Sequence, residues 1–449
     1  MKIIQFIKEI ISFFKIEVSL KIKNKIIFIP HAERCYDELN GKTSLTKDII
    51  LNINKKIYYP FLLHAHKNEQ YDIRLFERIF KYIPVLKKNF NHNLIAIRQK
   101  LLKKKFKIND INKFIKSRSK FELIFFKKKN FLFFHHTAPL ATGLAKWIFF
   151  VENPLTIFHP FLIQHKLDKQ INIRKLEFYK LIKNHIMDKN CKKILVNYHH
   201  TKKAIPKIFN NKNLENKIVY FRQGTKDILN YDRIIFFREK NDQLKNRNIH
   251  FLFVNSFNHQ EHNFYCRGGK FLFKTFEYIK KKYPKSRLTI CSKVPLDLEP
   301  LIKKDKNINY ITNWITKKKW VNLFKSSHFL ISPGIGGFTE TNLHCMMNGT
   351  ILIGGNHFIN RERFGKRFIL IKSLDNAINY KTIKNFGKIP DYNFFFKDSC
   401  AETIGIDITK SLTNFINQKN YLNFIEKNYQ EYLSKFNFKN SIKDFNKYL

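Results

Sequence analysis

FLFVNSFN at Phe251–Asn258, NFYCRGGKFLFKTFEYIKKKYPKSRLTIC at Asn263–Cys291 and FLISPGIGGFTETNLHCMMNGTILIGG at Phe329–Gly355 decide how this chain folds. Short apolar runs at Phe251–Val254, Leu288–Cys291, Phe329–Ile331 and Ile351–Ile353 read as buried strands. Between them lie helical patterns at Lys270–Tyr283 (stopped by Pro284), Lys318–Phe324 and Thr339–Met347. Strands that alternate with helices of this length form βαβ units and a parallel sheet.

The same rhythm runs upstream. Phe131–Phe134 reads as a strand ending at His135-His136, Asn172–Lys189 as a helix, Ile194–Val196 as a strand, Thr201–Phe209 as a helix and Ile218–Phe221 as a strand. A polar segment around Asp227–Arg247 separates the two runs. The expected fold class is therefore α/β, with two Rossmann-like domains facing each other across a cleft and helices at the C-terminus. The expected limits are 1–235 for the first domain, 236–410 for the second and 411–449 for a helical tail. No repeat of fixed period is present, and residues 36–130 carry the weakest pattern.

Composition narrows the classes. The 449 residues hold 84 Lys and Arg against 35 Asp and Glu, a net charge of +49, with 44% hydrophobic residues. The 47 Phe and 19 Tyr supply too much apolar surface for a solvated polymer. Six scattered cysteines without a C-x-x-C pair exclude a disulfide scaffold and fit thiols in a reducing cytosol. Of the 84 basic residues 15 are Arg and 69 are Lys. Readers of phosphate and base edges favour the bidentate fork of Arg, whereas an excess of Lys, Asn, Ile and Phe matches an AT-rich genome. The charge therefore reads as a solvated surface, not as a nucleic-acid site. The longest apolar stretch, Trp147 to Ile163, is interrupted by Glu152, Asn153, Pro154 and His159 and is too short to span a membrane. Met1–Ile16 has helical apolar spacing with Lys2, Lys8 and Lys15 between. It reads as a helix docked on the first domain or as an interfacial helix on an anionic membrane.

Two glycine turns carry the candidate chemistry. Arg267-Gly268-Gly269-Lys270 precedes a helix, whose N-terminus offers unpaired N–H groups and positive potential; Arg267 and Lys270 would complete a diphosphate clamp. In Ser332–Asn342 a buried strand ends, Gly334, Gly336 and Gly337 turn the chain, and Phe338, Thr339, Glu340 and Thr341 open a helix. Ligands of open α/β sheets sit outside the carboxyl ends of strands, so this loop is where a phosphate or sugar would lie.

In this order, on adjacent βα units, the two turns resemble the donor-nucleotide domain of GT-B glycosyltransferases, and glycosyltransferase family 4 in particular. Phe251–Gly355 carries most of the resemblance. Ile194–Thr225 is similar to the last βαβ unit of the family's acceptor domain. The resemblance implies that Arg267 touches the donor diphosphate, with Ser256 at an earlier position where many members have Arg. It also implies donor contacts from Gly268, Gly334, Gly336, Gly337, Phe338, Thr339 and Thr341. The family's two glutamates, with seven residues between them, align with Gly336 and His344, so both carboxylates are missing. Glu340 lies one turn before His344 on the same helix face and is the nearest replacement, from a displaced position. His136, after a buried strand, matches the active-site His of several similar enzymes. Trp147, Glu152 and Asn153 follow on the same side as candidates for an acceptor cleft. His199 and His200 lack the spacing of a metal site.

The resemblance thus implies a hexosyltransferase-like enzyme that moves a sugar from a nucleotide-sugar to a glycan or lipid-linked acceptor, in surface polysaccharide synthesis. It would retain anomeric configuration and use no metal or other cofactor, with His136, Arg267, Lys270 and Glu340 in catalytic roles. The expected location is cytoplasmic, with peripheral contact to the inner face of an anionic membrane and no nucleic-acid partner. The alternatives are a catalytically inactive GT-B-like binding protein, suggested by the missing glutamates, and a basic protein of membrane surfaces or nucleic acid, suggested by the charge.

Overall fold

The computed structural model describes residues 25–29, 57–58, 84–116, 118, 122–123, 131–136, 139, 141–158, 161, 172–229, 231–255, 261–313, 315–334, 339–377 and 397–448. The readings of Met1–Ile16, Ser256, Gly336, Gly337 and Phe338 lie outside them, as does the side chain of His136.

Twelve described strands form two parallel sheets. The first contains β1 (Lys25–Ile29), β2 (Ile57–Tyr58), β3 (Phe131–His136), β4 (Lys146–Val151), β5 (Cys191–Val196) and β6 (Ile218–Tyr220), in the order β2-β1-β3-β4-β5-β6. The second contains β7 (His250–Val254), β8 (Arg287–Cys291), β9 (Ile308–Ile311), β10 (Phe329–Ser332), β11 (Ile351–Gly354) and β12 (Ile369–Leu370), in the order β12-β11-β10-β7-β8-β9. Two Rossmann-like units are therefore present. Counted from β7, the second sheet has the dinucleotide-fold order, with its direction of winding reversing between β7 and β10. In the first sheet the reversal falls between β1 and β3.

Near-continuous apolar strands are what parallel sheets covered on both faces require. In β4, Trp147, Phe149 and Val151 enter one core, while Ile148 and Phe150 enter a second core on the other face. Trp147 stacks on His185 at 4.7 Å and is fully buried, so it belongs to the core and not to the acceptor cleft expected for it. Its neighbour along the apolar run, Glu152, emerges beyond the strand.

The described helices are α1 (Pro84–Lys103), α2 (Ile108–Lys116), α3 (Glu177–Met187), α4 (His199–Ile208), α5 (Arg233–Lys245), α6 (Glu261–Cys266), α7 (Gly269–Lys282), α8 (Glu299–Lys303), α9 (Lys317–Ser326), α10 (Thr339–Asn348), α11 (Phe358–Phe364), α12 (Lys372–Ala377), α13 (Asp398–Asn417), α14 (Tyr421–Glu431) and α15 (Phe438–Asn446). The polar segment read as a separator contains α5, which packs on the second unit: Phe237 meets Tyr429 of α14 at 5.6 Å. Residues 235 and 410, drawn as domain limits, each fall within a helix.

Lys240 of α5 is buried and donates to the carbonyls of Phe324 (3.3 Å), Ser327 (2.6 Å) and Asn348 (3.0 Å), gathering the C-terminal ends of α9 and α10 onto one ammonium group. Burial pulls its pKa well below the ordinary lysine value.

The tail crosses back to the first unit. After a π-helical turn at Tyr432–Phe436, α15 places Phe445 against Phe134 (5.4 Å) and Phe221 (5.5 Å) of the first sheet's outer core. The crossing needs Gly224, because a Cβ there would lie 2.0 Å from the Phe436 carbonyl oxygen.

Candidate active site

The carboxyl ends of β4 and β5 face the carboxyl end of β10, and the residues just past those strands meet there. Backbone sterics build the C-terminal wall. Gly268 adopts φ +80, a left-handed conformation that glycine reaches without a Cβ clash, and caps α7. A Cβ on Gly268 would lie 2.5 Å from Pro333 Cγ, and one on Gly334 would lie 2.3 Å from Arg267 Cα. The Arg267–Gly268 turn and the Pro333–Gly334 turn therefore pack backbone to backbone. They follow β7 and β10, the two neighbouring strands that flank the reversal of the sheet.

α10 begins at Thr339, and all ten of its residues are buried. Its N-terminus is contacted from the other domain. Thr339 donates its backbone N–H (3.2 Å) and its hydroxyl to Glu152 Oε1. The Thr339 hydroxyl in turn accepts from Asn197 Nδ2 (3.3 Å) and lies 2.7 Å from the Tyr198 hydroxyl. Asn197 and Tyr198 stand just past β5. Asn197 also donates to Gln223 Oε1 at 2.9 Å. Thr201 of α4 holds the backbone of Glu152 by donating to its carbonyl at 2.7 Å. Burial pushes the Tyr198 hydroxyl well above the ordinary phenol range, so it stays a neutral donor at any working pH.

A second carboxylate crosses in the opposite direction. Glu362 of α11 accepts the backbone N–H groups of His199 (2.6 Å) and His200 (2.7 Å) at the start of α4. His199 stacks on Tyr220 at 4.0 Å, and His200 on Phe358 of α11 at 4.1 Å. Next to Glu362, Arg363 is buried over the rings of Tyr198 (4.9 Å) and Phe436 (4.3 Å). Its Nε and one terminal nitrogen have no hydrogen-bond partner among the described residues. Each domain thus places a carboxylate on a helix N-terminus of the other, where the macrodipole and the unpaired N–H groups favour negative charge.

The other candidates fall as follows. Arg267 is half-buried beside Gly334, at the crossing of the two turns. Lys270 borders a groove of about 770 Å³ between α7, α8 and α13, with Phe273, Lys274, Glu277, Leu301 and Glu402; every residue lining it belongs to the second unit. Glu340 and Thr341 are buried in the first turn of α10, and Glu340 lies 3.7 Å from His344 Nε2. His344 is enclosed against Phe324 of α9 at 5.4 Å, with no hydrogen bond to either ring nitrogen among the described residues.

His136 ends β3, in register with Phe150. Its neighbour His135 is buried and bonded through Nε2 to Glu122. The second Glu122 oxygen accepts the N–H (2.6 Å) and hydroxyl (2.7 Å) of Thr142, tying the loop after β3 to the sheet. Burial lowers the nearby Arg118 to about 9, while Glu122 opposes that shift. Among the described residues no cluster of three or more His, Cys, Asp or Glu could hold a metal, and no helix is long and apolar enough to cross a membrane.

Glu362, Arg363, Asn197 and Tyr198 were not singled out from the sequence. The available signal was their position: each stands at or just beyond the carboxyl end of a predicted strand or in the helix that follows one.

No family model and no curated protein matches the chain. Among solved structures it is similar to the α,α-trehalose 6-phosphate synthase of Burkholderia multivorans (TM-score 0.53, 8% identity, covering 95% of this chain and 98% of that one). It is also similar to the UDP-forming α,α-trehalose-phosphate synthase of Burkholderia vietnamiensis (TM-score 0.52, 10% identity, 95% and 98% covered). At these identities the likeness concerns the fold: two Rossmann-like units in the GT-B arrangement along nearly the whole chain.

Proposed function

We propose that this protein is a nucleotide-sugar-dependent glycosyltransferase, with the donor bound at the carboxyl ends of β7 and β10 and the acceptor presented from the first unit. The observation that carries the reading is the interlocked pair of glycine turns at the reversal point of the second sheet, with the N-termini of α7 and α10 behind it. Backbone N–H groups at a helix start, a close glycine approach and an adjacent Arg267 suit a diphosphate.

As the diphosphate leaves, negative charge grows on its oxygens. Arg267 and the α10 N-terminus stabilise that charge as fixed dipoles and charges. A leaving-phosphate oxygen takes the acceptor proton, so transfer proceeds with retention and without a metal or a strong protein base. The family 4 resemblance supports this chemistry, along with a glycan or lipid-linked acceptor and work at the inner membrane face in surface polysaccharide synthesis. His136 and Glu340 remain the candidate groups around the sugar, and Lys270 a candidate beside Arg267 for the diphosphate. Because one similar structure is a UDP-forming synthase, UDP-sugars are the first donors to test.

The test is thermal melting of the full chain with UDP, GDP, ADP and CMP compounds, followed by donor turnover with sugar and lipid-linked acceptors. Selective stabilisation by one nucleoside diphosphate and acceptor-dependent release of it are expected. Stabilisation without turnover against any acceptor would favour the inactive binding protein. No stabilisation by any nucleotide would overturn the reading.

A further inference from the structure

Glu152 belongs to the first unit, but its carboxylate sits on the N-terminus of α10 in the second, bonded to the Thr339 N–H and hydroxyl. That is the place assigned above to the donor's phosphates. The side chain is almost fully buried, at 3% exposed, and its backbone is fixed by Thr201. We infer that Glu152 is an intramolecular competitor for the donor: it occupies the anion site while the cleft is empty and has to leave before a diphosphate can enter. The inference rests on the donor reading above and adds a specificity-determining residue to it.

Three observations support it. First, a carboxylate is the chemical stand-in for a phosphate oxygen pair. Its partners here, a helix N–H and a hydroxyl, are donors that phosphate oxygens also use. Second, the surrounding wall has capacity that Glu152 does not use. Arg363 is 2% exposed with two nitrogens unpartnered among the described residues. Its guanidinium lies 4.9 Å over the ring of Tyr198, whose hydroxyl is 2.7 Å from the Thr339 hydroxyl. Buried guanidinium N–H groups left unpaired are costly, and the oxygens of a diphosphate would relieve that cost. Third, the contact joins the domains. Displacing Glu152 therefore frees one of the two carboxylate links that hold the cleft closed, while the Glu362 link to α4 remains. Weak anions would leave the link intact; a diphosphate would break it.

The experiment is isothermal titration of inorganic pyrophosphate and of UDP into the wild-type chain, Glu152→Ala and Glu152→Gln. Glu152→Ala should bind both anions about tenfold more tightly, equivalent to about 1.4 kcal/mol. Glu152→Gln keeps the shape and loses the charge, so it should fall between them. It also serves as the test if the alanine variant does not fold. Unchanged or weaker pyrophosphate affinity in both variants would overturn the inference. If the variants gain affinity for pyrophosphate while UDP binds no better than pyrophosphate to any of the three proteins, the competitor stands and the donor reading fails. If no protein binds either anion, both fail.

Discussion

The two sheets present their carboxyl edges to the same cleft, and the edges are made of different material. The second sheet offers backbone: Gly268 and Gly334 with no room for a side chain, and the starts of α7 and α10. The first sheet offers side chains: Glu152 past β4, Asn197 and Tyr198 past β5, and the Glu122–His135–Thr142 group past β3. A backbone edge binds anions because its donors are N–H groups in a positive helix field. A side-chain edge rich in carboxylate, amide and hydroxyl suits neutral polar groups such as sugar hydroxyls. The proposed reaction would use this difference, with its charged half at the second domain and its uncharged half at the first.

If that contrast is right, the backbone edge should fail hardest. Gly334→Ala drives a Cβ to 2.3 Å from Arg267 Cα and parts the two turns. A stability loss of about 3 kcal/mol by urea denaturation is expected, together with loss of all nucleotide-induced stabilisation. A variant that melts and binds like wild type would show that the interlock is not required.

Arg267→Ala tests the same edge without disturbing the turn. Nucleotide affinity should fall by about 1.5–3 kcal/mol, the range for a charge-assisted hydrogen bond. An unchanged affinity would mean that the anion lies elsewhere.

Beneath the backbone edge, His328 fixes the sheet to α5. Its Nδ1 accepts the N–H of His250 at 3.0 Å and its Nε2 lies 3.1 Å from the carbonyl of Lys240, so the ring must be neutral, with its proton on Nε2. Burial lowers its pKa to about 3, and that of His250 to about 4. The unfolded chain takes up these protons near 6.5 and the folded chain only far below, so this stability is present above pH 6.5 and is lost as pH falls. Between pH 7 and 5 the second domain should lose about 2 kcal/mol through His328, followed by urea midpoint. A flat profile, or the same slope in His328→Asn, would contradict it.

The smallest effect is expected at the periphery of the side-chain edge. Glu362→Ala removes the acceptor for two first-turn N–H groups of α4, worth about 1 kcal/mol, and should leave nucleotide affinity unchanged. Glu362 and Glu152 make the same kind of contact, so a large change in binding from Glu362→Ala would erase the distinction between a structural cap and a competitor.

How much of this was legible follows the same division. The strands from Phe131 onward were readable wherever an apolar run was bounded by a turn or a helix, and so were α7 and α10. β4 was missed because Trp147–Val151 was weighed only as part of a longer apolar stretch, although Glu152, Asn153 and Pro154 mark its end. α5 was missed because it is polar nearly all round; its buried face consists of Arg233, Phe237, Lys240 and Leu244, two of them cations. The glycine turns stood out because strand, glycine and helix occur in order along the chain. Trp147 was misplaced because the alternation within β4 was not traced.

The sequence by itself determined the α/β class, two sheets and the glycine turns of the second, because βα units and their glycine turns are local patterns set by side-chain period and φ. Tertiary structure alone decided the partner of each carboxylate, the return of α15 to the first sheet, and the meeting of Glu152 with Thr339. These contacts join residues up to 217 positions apart, as in Gly224 with Ser441, and no local pattern encodes them. They arise only when two independently legible sheets are brought edge to edge, and the resulting burial leaves each polar group to find whatever partner the other domain supplies.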